Sequence, residues 1–140
     1  MSKTVNRPSI SLELAHEIVA ACEQKARAME KLMVIAVVDE SGVLKAFGRM
    51  DGAALLSVGV AQDKAFSAAA QGIPTDAWHD FIKDDPPLAD GAVGGIERLV
   101  IFGGGFPIKA NDQVVGAIGV SGGHYTQDAE VAKAGLAAAG

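Results

Sequence analysis

A single cysteine, Cys22, stands in 140 residues. That excludes an internal disulfide and a cysteine-built zinc cage. Tryptophan and tyrosine occur once each, and aromatic residues total 5%. Basic blocks are missing too: the formal net charge is −5 and the pI is near 5.1. Such an acidic chain is a poor partner for nucleic acid or an anionic membrane surface. No apolar run approaches the roughly 20 residues needed to cross a bilayer. The opening "MSKTVNRPSIS" has no apolar signal core, so a cytoplasmic location is expected. The three histidines, His16, His79 and His124, form no HxH, HExxH or similar spacing, and no protein metal site is expected.

What is present suits one domain over residues 1–140. The chain is 49% hydrophobic and 21% charged, enough for a packed core. It holds 17 glycines, and "AFSAAA" and "AKAGLAAAG" make its helices rich in alanine. Small side chains let backbones approach closely but leave few large groups to fill a monomer's core. Burial of helix faces against other copies, a homo-oligomer, is the expectation.

The spacing of Ala15, Ile18, Val19, Cys22, Ala26 and Met29 predicts an amphipathic helix over 11–31, capped by Ser9 or Ser11. "LMVIAVVD" reads as a strand. "DESG" is its turn, with Gly42 supplying positive φ and Asp39 able to close an Asx turn. "VLKAFGRM" is the hairpin partner. "GAALLSVGVAQDKAFSAAAQG" is a second helix, stopped by Gly72 and Pro74. "TDAWHDFIKDD" is a short helix with Thr75 as N-cap, and 84–97 is a loop. "RLVIF", "FPIK" and "QVVGAIGV" read as three strands. "TQDAEVAKAGLAAAG" closes the chain as a helix capped by Thr126. The order αββααβββα, with connections too short for parallel crossovers, points to an α+β fold with helices on a five-stranded antiparallel sheet.

The chemistry-bearing residues cluster around glycine. Gly103, Gly104 and Gly105 lie between two strands, so they lack the strand-to-helix context of a phosphate loop. They read either as a nest of backbone N–H groups for an anion or oxyanion, or as a bulge that twists the sheet. Gly122 and Gly123 form a second set before the last helix, whose N-terminus favours anions, and the Ser121 hydroxyl stands beside them. Arg49 offers a forked donor to a carboxylate, or a surface ion pair with Asp51, which could instead cap a helix. Lys64, among small apolar residues, is either a buried base or nucleophile or a surface partner of Asp63 or Asp39. Trp78 and His79 can line a pocket or stack on a flat ligand, with Trp78 as plain core the alternative. His124, directly after the second glycine set, is the favoured acid–base group or axial ligand.

"AVVDESGVLKAFGRMDGA", "AQDKAFSAA", "LVIFGGGFPI" and "VVGAIGVSGG…QDAEVAKAGL" together resemble the GlcG/HbpS family, the heme-degrading-domain proteins, and the C-terminal domain of PduO-type proteins. The resemblance spans nearly the whole chain. It implies a profilin-like α+β fold with five antiparallel strands, and oligomers. Some members bind heme or corrinoid, and others sit among catabolic genes. Two departures stand out. His124 replaces a residue that is often threonine, and "WHDFIKDDPPLADGAVGG" replaces a "PGGPLYG"-like segment. Two functions follow as expectations. One is an oligomeric small-molecule-binding protein for heme or a related ligand, with His79 or His124 as axial ligand. The other is a cofactor-independent isomerase, hydratase or lyase acting on a small carboxylate or enol. In the second, glycine N–H groups hold an oxyanion, Arg49 anchors the substrate, and His124 or Lys64 moves the proton.

Overall fold

The computed structural model, which describes residues 2–140, places the first amphipathic segment in helix α1 (Leu12–Ala28). Its N-cap is Ser11, whose hydroxyl accepts the Leu14 N–H at 3.1 Å. Strands β1 (Val34–Asp39) and β2 (Leu44–Arg49) form the expected hairpin. Asp39 closes its turn as an Asx turn, one carboxylate oxygen accepting from the Ser41 and Val43 N–H groups at 2.8 and 3.1 Å. Helix α2 (Leu55–Gln71) ends on Gly72 at φ 70°, the left-handed cap that glycine adopts without steric cost.

The second half departs from expectation. Among the described residues there are four strands, not five, and three helices intervene between β2 and β3. These helices are α2, α3 (Thr75–Ile82) and α4 (Pro86–Gly95). Then follow β3 (Gly105–Ala110), β4 (Gln113–Ser121) and α5 (Tyr125–Ala138). The segment 84–97 is largely helix, because prolines in its first turn carry a φ already suited to a helix start. "RLVIF" is not a strand. Arg98 sits at φ 64°, and the Ser67 hydroxyl of α2 donates to the Arg98 carbonyl at 2.8 Å and accepts the Val100 N–H at 3.0 Å. A helix side chain thus takes the backbone bonds that a neighbouring strand would have taken. Two caps also differ. Thr75 is the first residue of α3 and Pro74 its N-cap, while His124, not Thr126, caps α5.

The sheet is antiparallel in the order β2-β1-β4-β3. Ile35, Val37, Ile118 and Val120 point to the face covered by α1 and α5, where Ile18, Cys22 and Val131 meet them. Val34, Ala36, Val38 and Ala117 point to the face covered by α2, through Ala61, Ala65 and Ala68. Helix α2 lies so near the strands that a Cβ on Gly119 would run into the Ala61 carbonyl oxygen. Among the described residues no helix is long and apolar enough to cross a membrane.

Candidate functional site

The glycine run is buried, and its backbone is already engaged. The Gly105 N–H donates to the Thr75 hydroxyl at 2.9 Å, and the Gly104 carbonyl accepts the Val120 N–H at 2.9 Å. A Cβ on Gly104, whose φ is +125°, would sit 2.7 Å from Lys64 Nζ. One on Gly105 would sit 2.6 Å from the Lys64 carbonyl oxygen. Of the expected nest of Gly103, Gly104 and Gly105, the Gly105 N–H is thus donated internally, while Gly103 lines a hollow. Gly104 and Gly105 make room for helix α2 and one lysine.

Lys64 is fully buried. Its ammonium donates to Asp128 Oδ2 at 2.8 Å and to the Val120 carbonyl at 2.9 Å. The surface pairings with Asp63 or Asp39 do not form: Asp63 pairs with Arg98 at 2.9 Å, and Asp39 closes its hairpin turn. The other Asp128 oxygen accepts the Gly123 N–H at 2.9 Å, which ties down the second glycine set. Burial pulls the Lys64 pKa down, and the hydrogen bond and charge of Asp128 oppose that fall. The Phe102 ring covers the ammonium, its centroid 5.1 Å away.

Phe102 and Tyr125, 46% and 44% exposed, stand with ring centroids 6.4 Å apart. They border two hollows. One, of about 480 Å³, is completed by Asp76, His79, Ile101 and Gly103. The other, of about 340 Å³, runs over Leu56, Ser57, Val60, Ser121, Gly122, Gly123 and His124, with Asp128 also on its wall. His79 and His124 thus fall on separate hollows.

The two imidazoles differ in freedom. Neither ring nitrogen of His79 has a hydrogen-bond partner among the described residues. His124 Nδ1 accepts the Thr126 N–H at 3.3 Å and lies 2.8 Å from the Thr126 hydroxyl, and the His124 N–H donates to Gln127 Oε1 at 3.0 Å. This is a reciprocal helix cap. With Nδ1 accepting, the neutral ring carries its proton on Nε2.

The remaining candidates lie elsewhere. Arg49 forks onto the Ala53 carbonyl at 3.2 and 2.8 Å. With Asp51, Glu23 and Arg27 it lines a different hollow. Asp39 pairs across the sheet with Gly116, whereas Ser121 pairs with Val34 at the opposite end of β1. Trp78 is buried against Ile82 and Ala92 and also lines another hollow, of about 190 Å³, with Phe66 and Arg98. No group of three or more His, Cys, Asp or Glu suited to a metal occurs among the described residues. Sequence reasoning missed Phe102, Tyr125, Ser57 and Asp128 as site residues. Phe102 lies within the expected strand "RLVIF", and no local signal marks Asp128 as the partner of Lys64.

The family model described as "Haem degrading protein HbpS-like" matches residues 10–137. An uncharacterized 15.0 kDa protein in the dhaT-dhaS intergenic region of Citrobacter freundii is 34% identical over 136 residues, covering 97% of this chain and 96% of that one. Among solved structures, the Klebsiella pneumoniae protein ORFY superimposes with a TM-score of 0.93 at 34% identity, covering 99% of this chain and 96% of that one. The structure described as a PduOC:heme complex superimposes with a TM-score of 0.86 at 28% identity, covering 93% and 94%.

Proposed function

This chain belongs to the HbpS-like family, and on that premise we propose that it binds a flat, heme-type tetrapyrrole in the hollow between α3 and the Phe102–Tyr125 pair. The single observation that carries this reading is the pairing of two half-exposed aromatic rings with an uncommitted imidazole, His79, on one hollow of about 480 Å³. The residues present fit the group. Aromatic faces stack on a planar macrocycle. Gly103 presents no side chain to its edge, and His79 offers a ring nitrogen to its iron. The volume lies within the range of small-molecule sites. A relative solved as a heme complex supports the same ligand class. Bound heme supplies one-electron and O₂ chemistry, and the protein's part is orientation and exclusion of water.

The isomerase, hydratase or lyase alternative has no observation in its favour. Both of its expected proton movers are committed: Lys64 is held in an ion pair and the His124 ring caps α5. It needs a carboxylate anchor, and Arg49 is spent on Ala53. Two of the glycine amides it would use, those of Gly105 and Gly123, are donated internally.

Hemin titrated into the purified protein should give a saturable Soret shift at one equivalent per chain. His79→Ala should abolish or displace that band, while His124→Ala should leave it in place. An unchanged spectrum in His79→Ala would overturn the assignment, and no saturable shift in the natural protein would overturn the function. Self-association belongs to the same reading. Leu55, 76% exposed, is an apolar side chain that a second copy would cover. A monomer by light scattering at micromolar concentration would remove that part.

A further inference from the structure

We infer that the hollow on the other side of the Phe102–Tyr125 pair is a second, separate site, built for a small neutral molecule bearing hydroxyl groups. Ser57 comes from the first turn of α2 and Ser121 from the last residue of β4. The fold brings both to one wall. They are 6% and 8% exposed, and what remains exposed of both lies on the hollow, where their hydroxyls are reached from solvent rather than sealed in the protein. Near-buried hydroxyls in folded proteins are normally paired. Two presented together on one cavity wall offer a ligand, in place of water, a pair of hydrogen bonds.

Charge selects the class of ligand. Asp128 borders the same hollow, but its carboxylate is held by Lys64 on one oxygen and by the Gly123 N–H on the other. The pair is neutral as a unit. An incoming anion would meet the carboxylate's remaining lone pairs, and an incoming cation would meet the Lys64 ammonium behind it. A hydroxyl both donates and accepts, so it can satisfy a serine in either direction and accept from the His124 Nε2–H at the rim. Leu56, Val60 and Phe102 supply an apolar wall for the carbon skeleton. At about 30 Å³ per water in the liquid, 340 Å³ holds roughly ten non-hydrogen atoms. A diol on a short chain or small ring meets these conditions together.

The test uses cis-cyclohexane-1,2-diol as probe and cyclohexanecarboxylate as its anionic counterpart. Titration of the ¹⁵N-labelled protein should move the amides of Ser57, Ser121 and Gly122 saturably with the diol. The carboxylate should bind at least about tenfold more weakly. Ser57→Ala/Ser121→Ala should weaken the diol by about tenfold or more, since each lost hydrogen bond contributes a few-fold. His79→Ala should bind the diol unchanged, which separates this site from the heme reading. Val60→Trp, which fills the hollow, should abolish binding and serves if the double serine variant does not fold. The inference is overturned by three results: absence of saturable shifts (only water occupies the hollow), equal binding in the double variant, or tighter binding of the carboxylate.

Discussion

The two faces of the sheet are packed by different means. Toward α1 and α5, large aliphatic groups interlock: Ile18, Ile35, Val37, Ile118, Val120 and Val131. Among them the Cys22 thiol donates to the Val131 carbonyl at 3.4 Å. Toward α2, alanine and glycine bring helix and sheet into close contact. The largest buried side chain on that face is a charged one, Lys64. A face of large residues fills its own gaps. A face of small residues draws the backbones together but cannot fill the end of the layer, and both hollows beside Phe102 open there. Large-residue packing is concentrated on one face and the hollows on the other, with the buried Lys64–Asp128 pair between them.

The sharpest way to break that contrast is to remove the lysine. Lys64→Met leaves Asp128 buried without its counter-charge and should destabilise the protein by about 3–5 kcal/mol. Lys64→Met/Asp128→Leu should recover most of that loss, because a neutral apolar pair removes the desolvation cost of both charges. On the opposite face, Ile118→Val should cost only about 0.5–1.5 kcal/mol. Urea unfolding of the three variants makes the comparison. If Lys64→Met costs no more than Ile118→Val, the small-residue face is not held by its charge pair.

The faces also titrate in opposite directions. Burial pushes the Cys22 thiol from 9.0 up to about 12. The unfolded thiol therefore loses its proton first, and the stability Cys22 contributes is complete below pH 9 and declines as pH rises toward 12. Lys64 is lowered by burial. The unfolded lysine holds its proton longer, so this group makes stability rise with pH up to its ordinary value near 10.5. Cys22→Ala deletes the first slope and keeps the second. The stability of the natural protein relative to Cys22→Ala should fall steadily above pH 9, by about 2 to 3 kcal/mol at pH 11. Unfolding free energies at pH 8, 9, 10 and 11 give the slope. A flat difference would mean that the thiol is not confined as the structure places it.

How much of this was legible in the sequence follows the same division. Helix α1, the first hairpin and β4 were readable, because period and turn chemistry are local signals and their large residues face one way. The α2 side was readable only in outline. "RLVIF" has the composition of a strand, and what prevents one is a hydroxyl on Ser67, 31 residues before Arg98. Lys64 and Asp128 are 64 residues apart, and nothing local announces their pairing. Gly103–Gly105 was recognised as unusual, but glycine looks the same in sequence whether it admits a ligand or the protein's own helix. Phe102 and Tyr125 become neighbours only once the closing of β3 on β4 and the start of α5 are known.

His124 gives the smallest effect and the finest distinction between structural and binding roles. Its ring caps α5 through Nδ1, and its backbone N–H is held by Gln127. His124→Ala removes an N-cap and should cost about 1 kcal/mol. His124→Asn restores a capping acceptor and should recover nearly all of it. A residue that served chiefly as an iron ligand would behave otherwise: asparagine would not rescue it, and alanine would alter the hemin spectrum while leaving stability almost untouched. The two variants, each followed by urea unfolding and by hemin titration, therefore separate a cap from a ligand. Rescue of stability by asparagine with the Soret band unmoved in both variants leaves His79 as the imidazole that faces the iron.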